Sequence, residues 1–277
     1  LCLWEEGRGI RRRWGLREGL PSLEVWALEP DGRGGLWIGT VKGMARLAGG
    51  RILPGPSALA RSMVHSFLRH QGRLWACTLD QGLVELGPDG RFLAAHPPPP
   101  ETGQPVVAAV LARPDGLLVG TRLGLYRFQG GRWERRYGDS PVAEAYVSTL
   151  YQDAQGGLWV GTLHGLHVLR HGAWSRLGAG EGLPHDTVNW VRELPGGILA
   201  VGHGLGVSLR QGGRSLHLSR ARGLLSDETT QESVMLDHRG RLWIGMVGGV
   251  SLLDTRELPW DPPLPRPTVL ELRWQDG

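Results

Sequence analysis

Three histidines, His164, His167 and His171, are spaced by three and four residues. On a helix that spacing would gather three imidazoles on one face, as a zinc site needs. Gly202-His203-Gly204-Leu205-Gly206 resembles a glycine loop of the kind that cradles phosphate, chemistry that requires a strand before it and a helix after it. Cys77 would need a base beside it to serve as a nucleophile. There is no GxSxG, HExxH, Walker A or EF-hand spacing, and no CxxC pair. Whether any of these groups does chemistry depends on the elements that carry them.

Those elements are short. The chain has 277 residues, with 44 glycines, 19 prolines and 12 tryptophans. So many indoles demand burial, and the glycines then mark tight turns between short strands. No apolar stretch approaches a membrane span. Arginine supplies all but one of the 31 basic residues, the exception being Lys42, and Asn189 is the single asparagine. This skew suggests a GC-rich bacterial genome, and scarce asparagine suits a thermophile. A dispersed net charge of +4 argues against a nucleic-acid partner, and Arg11-Arg12-Arg13 reads as a solvated strand or turn.

A repeat organises the chain. Gly35-Leu36-Trp37-Ile38-Gly39-Thr40 recurs around residues 75, 118, 159, 199 and 243. The small residues that close the copies lie at 39, 77, 120, 161, 202 and 245, so the period is 38 to 43 residues. Each copy is followed by a glycine and an apolar residue: Gly43-Met44, Gly82-Leu83, Gly124-Leu125, Gly165-Leu166, Gly206-Val207 and Gly249-Val250. An apolar run and a turn precede each anchor, and a further glycine turn leads to a fourth run. Four short strands per period, with no helical periodicity, predict an all-β chain: a β-propeller of four-stranded antiparallel blades. The tryptophan of each second strand is expected to fill the wedge between blades.

Seven blades are expected, since residues 1–17 read as the last two strands of a further blade. The propeller is assigned to 1–258. Residues 259–277 read as a proline-rich link followed by a first strand, either of an appended domain or of a ring-closing blade. In this frame the three histidines span a turn, a strand and the next turn, so they diverge and no metal site is expected. The glycines of 202–206 fall in the repeat register with no helix after them, and Cys77 becomes a buried strand residue. No catalytic residue, metal or cofactor is expected.

Ligands of such a fold are expected at the face formed by the turns joining strands two and three and the loops leading into each innermost strand. The repeat sets the length of those turns and leaves their residues free to vary. Lys42, Asp80, Arg122, His164 and His203 are the candidate ligand contacts. Their partly cationic character favours an anionic or sugar-like ligand, with Asp186, Asp227 and Glu228 in the other loops preventing a uniformly positive face.

Residues 156–166, Gly-Gly-Leu-Trp-Val-Gly-Thr-Leu-His-Gly-Leu, resemble the two-component regulator propeller repeat, as does Gly35 to Met44. Glu18-Gly19-Leu20-Pro21 and Glu181-Gly182-Leu183-Pro184 are similar to its inter-blade signature, and Arg222 to Ser226 is a looser version. The resemblance runs from about 18 to 253, with departures at Cys77, where a glycine is replaced, and near 199, which lacks tryptophan. It implies an extracytoplasmic, non-catalytic sensor region of a bacterial membrane-bound signalling protein. Such a region passes the binding of a small ligand or a protein to a downstream output module. Two alternatives stand beside it: a metal-dependent lyase resembling the streptogramin-inactivating type, and a protein-binding scaffold without a small ligand.

Overall fold

A computed structural model describes residues 1–258 and Trp260. The expected link and strand over 259–277 lie outside the described residues, apart from Trp260. The described residues form two compact units, Leu1–Arg136 and a second from Tyr137 onward.

The first unit opens with a two-stranded hairpin, Cys2–Glu5 with Gly9–Arg13. Three four-stranded antiparallel blades follow. Blade one comprises Val25–Pro30, Leu36–Thr40, Gly43–Ala48 and Arg51–Pro54. Blade two comprises Val64–His70, Arg73–Thr78, Leu83–Leu86 and Phe92–His96. Blade three comprises Val107–Arg113, Gly116–Thr121, Gly124–Gln129 and Arg132–Arg136.

In the second unit, blade four comprises Val147–Gln152, Leu158–Thr162, Gly165–Arg170 and Ala173–Leu177. Blade five comprises Val188–Leu194, Ile198–His203, Gly206–Gln211 and Arg214–Leu218. Among the described residues blade six has three strands, Thr229–Leu236, Arg241–Met246 and Gly249–Asp254. All six blades are meanders, so strand order in space follows chain order. The fold is an all-β propeller of four-stranded blades. The count is corrected from seven to six among the described residues, because the first hairpin stays a two-stranded sheet. That hairpin covers blade one: Trp14 and Leu1 pack with Leu20, Ile38 and Ile52, and the Trp14 indole donates to the Gly50 carbonyl at 3.0 Å.

The second-strand tryptophans fill the wedges between blades. Trp37 packs on Leu59, Val64, Leu74 and Leu86 of the next repeat. Trp159 packs on Val188, Val191 and Val201 of blade five. A clasp on the preceding turn orients them. Asp153 Oδ1 accepts from the amides of Gln155 and Gly157 at 3.0 and 2.7 Å, and its Oδ2 accepts from the Trp159 indole at 2.7 Å and from Arg170. Asp237 repeats the arrangement with Arg239, Arg241 and Trp243. Asp31 holds Arg33, Gly35 and Arg46 in the same way. One aspartate thus closes the turn between strands one and two and anchors what packs behind it.

Each innermost strand breaks register directly after its first paired residue, Val25, Val64, Val107, Val147, Val188 or Thr229. These bulges re-aim a side chain toward the neighbouring blade. Ser148 Oγ donates to the Val188 carbonyl at 2.5 Å, and Asn189 Nδ2 donates to the Thr229 carbonyl at 2.7 Å. Trp26 meets His65 edge to face at 5.8 Å.

Candidate functional site

The turns between strands two and three are built by one repeated device. The hydroxyl of the last residue of strand two reaches across the turn. Thr40 Oγ1 donates to the Gly43 carbonyl at 2.8 Å and accepts from the Lys42 amide at 3.1 Å. Thr78 does the same with Gly82 and Gln81, Thr121 with Gly124 and Leu123, and Thr162 with Gly165 and His164. All four threonines are buried. The glycine that opens strand three has positive φ in every blade, from 81° at Gly82 to 156° at Gly249, which is why that position is glycine in all six repeats.

These turns share an end of the blade with the segments leading into the innermost strands. The Val41 amide donates to the Glu24 carbonyl at 3.3 Å, Leu79 to Met63 at 3.1 Å and Val247 to Glu228 at 3.1 Å. The result is a face of hydrogen-bonded scaffold with variable tips.

Lys42, Asp80 and Arg122 stand exposed at this face on the three consecutive blades of the first unit. Asp80 Oδ1 accepts from the Met63 amide at 3.2 Å, and Arg122 Nη1 donates to Gln104 Oε1 at 2.7 Å. Lys42 extends from the turn whose amide Thr40 holds. In the second unit His164 is exposed on blade four and lines a cleft of about 390 Å³ with Glu144, Thr162, His167 and Arg176. Arg176 closes one side. It donates to the His164 carbonyl at 2.9 Å, to Glu181 at 2.7 Å and to Asp186 at 2.8 Å.

His203 is not at a tip. It ends strand two of blade five and is fully buried, occupying the register that threonine holds in blades one to four. Its Nδ1 accepts from the Leu205 amide at 3.2 Å, so Nε2 carries the proton and donates to Ser208 Oγ at 2.9 Å. The exposed tip of that turn is Leu205. The displacement has a physical cause: a buried imidazole substitutes for the threonine hydroxyl, so His203 belongs to the strand and not to the loop.

The other sequence candidates separate as the repeat frame requires. His164 lies in a turn, His167 in strand three and His171 in the following turn, with φ of 48°. Among the described residues no cluster of metal-ligating side chains occurs. Gly202 to Gly206 joins two paired strands with no helix after it. Cys77 is buried in strand two of blade two.

Two further groups line the blade-four cleft. His167 is 4% exposed, its Nδ1 has no hydrogen-bond partner among the described residues, and burial, aided by the nearby Arg176 charge, lowers its pKa. Arg176 reaches the cleft because strand four pairs with strand three, which sets it opposite His167.

The family model for the two component regulator propeller matches residues 19–42 and 141–164. No curated protein sequence matches the chain. Among solved structures, the chain is similar to the extracellular domain assigned to a hybrid two component system of B. thetaiotaomicron, with a TM-score of 0.72 and 18% identity. That match covers 96% of this chain and 37% of the other, so the chain spans well under half of that domain. A catalytically inactive virginiamycin B lyase from Staphylococcus aureus, solved with quinupristin, gives a TM-score of 0.63 at 10% identity, over 84% of this chain and 81% of the lyase. YCF48 bound to D1 peptide gives 0.61 at 13% identity, over 83% of this chain and 78% of that one. At these identities the likeness is one of fold. No helix among the described residues is long and apolar enough to cross a membrane.

Proposed function

From a chain that carries two-component regulator propeller repeats, we propose a non-catalytic sensor region, extracytoplasmic in a bacterial membrane-bound signalling protein. It binds a small ligand at the face of the strand two to three turns. Binding there is passed to an output module elsewhere in the parent protein. The observation that carries the reading is the contrast within each turn. The threonine and glycine that build it recur from blade to blade, while the tips change from Lys42 to Asp80, Arg122 and His164. A scaffold held constant beneath variable side chains is how a binding face is built. Lys42, Asp80 and Arg122 are the proposed contacts in the first unit, and His164, with His167 and Arg176 beside it, in the second. The cationic members favour an anionic or sugar-like ligand. His203 supports its turn from within and is not among the contacts.

A solved structure that matches 96% of this chain is an extracellular domain assigned to a two component system, which supports the sensor reading over the lyase. A thermal-shift screen of organic anions and saccharides tests it. A true ligand raises the unfolding temperature with concentration. That shift is expected to vanish when Lys42, Arg122 and His164 are all replaced by alanine, with the unliganded protein as stable as before. A ligand whose shift survives the triple replacement removes the proposed face. Sequencing the parent gene tests the coupling: a membrane helix and a kinase or cyclase module are expected, and a free-standing propeller gene overturns the sensor reading.

A further inference from the structure

We propose that a second site, a cleft between blades two and three, binds a small organic ammonium ion. Its rim comes from turns at the other end of the blades: His70-Gln71 and Pro114 between strands one and two, and Gln129 to Gly131 between strands three and four of blade three. The site is therefore separate from the face of the strand two to three turns.

The inner wall is aromatic. Trp75 meets Phe128 edge to face at 5.7 Å, His96 lies 4.7 Å from Phe128 and 6.1 Å from Trp75, and Trp133 backs Phe128 at 4.8 Å. Glu85 contributes the one formally charged side chain among the lining residues, none of which is lysine or arginine. Its present partners are Arg73 Nε at 3.3 Å and His96 Nε2 at 3.4 Å. Arg73 is 45% exposed, so that pair is screened and easily exchanged for another cation.

These features select among ligand classes. A carboxylate beside packed rings attracts a cation twice, through its charge and through the negative faces of the rings. An anion meets only the carboxylate and is repelled. A neutral polyol gains hydrogen bonds but neither attraction. The volume, about 290 Å³, lies near the lower end of ligand pockets, roughly 300 Å³ and upward, so the cation is small.

Titration of the whole chain with choline and tetramethylammonium, followed by tryptophan fluorescence and calorimetry, tests the assignment. Saturable binding at millimolar concentrations is expected, with the neutral tert-butyl isostere of choline weaker by about tenfold. Glu85→Gln, of the same shape without the charge, is expected to weaken choline by about tenfold as well. Arg73→Gln is expected to tighten it, because Glu85 Oε1 is freed; a gain of affinity cannot come from misfolding. Absence of saturable binding to either cation overturns the proposal. So does equal binding of the neutral isostere, preferential binding of glucose, or a Glu85→Gln variant that is folded by circular dichroism and binds choline as the parent does.

Discussion

The imidazoles of His203 and His217 stack face to face inside blade five, 5.4 Å between centroids and 17° from parallel. Burial, reinforced by His217 and by His185 in the segment leading into the blade, lowers the His203 pKa from 6.5 to about 3. His217 is lowered too, by burial and by Arg222, with Asp227 opposing. The folded chain therefore stays unprotonated at His203 where the unfolded chain takes up a proton. The associated stability is present above pH 6.5 and drains away as pH falls toward 3. Thermal unfolding across that window should show a falling midpoint. His203→Thr, which restores the residue found at this register in blades one to four, should flatten the curve. Parallel curves for the two proteins would contradict the assignment.

Asp31 acts lower on the pH scale. The Arg33 amide and then the Arg46 guanidinium hold its pKa at about 2, against 3.8 for a free aspartate. Its contribution is present above pH 3.8 and is lost as pH falls through 2. Asp31→Asn keeps an acceptor for the turn amides but removes the charge. The variant should be less stable at neutral pH and should lose less stability between pH 4 and 2 than the parent, measured by urea unfolding.

Gly202 faces the indole of Trp190, and a Cβ there would lie 2.1 Å from Trp190 Cε2. Trp190 is fully buried in the core of blades five and six, so it has no open space to move into. Gly202→Ala should cost about 1–3 kcal/mol or more through overpacking. A denaturation midpoint equal to that of the parent would mean that Trp190 repacks freely.

The turn device and the turn tip should separate experimentally on blade four. Thr162→Val removes the donor to Gly165 and the acceptor for the His164 amide inside a buried turn. A loss of about 1–3 kcal/mol is expected from the unsatisfied groups. His164→Ala alters an exposed tip and should stay within about 0.5 kcal/mol of the parent. Chemical unfolding of both variants gives the comparison, and equal losses would place the tip within the scaffold.

The repeat is written in the residues because it is local. A glycine that needs positive φ, a threonine or aspartate that closes its own turn, and a tryptophan two residues into a strand all act within one blade. Their spacing therefore announces strands, blades and the face carrying the variable turns. Lys42, Asp80, Arg122 and His164 could be placed on that face from register alone. The tertiary structure decided what depends on distant segments coming together. It moved His203 into the strand, where its Nδ1 accepts a turn amide as the threonine hydroxyl does elsewhere and its Nε2 turns to Ser208. Among the described residues it reduced seven blades to six, because there Cys2–Glu5 and Gly9–Arg13 pair only with each other. It brought Phe128 of blade three against Trp75 of blade two. Such neighbours are set by how sheets stack, and side-chain packing between sheets leaves no fixed spacing along a chain.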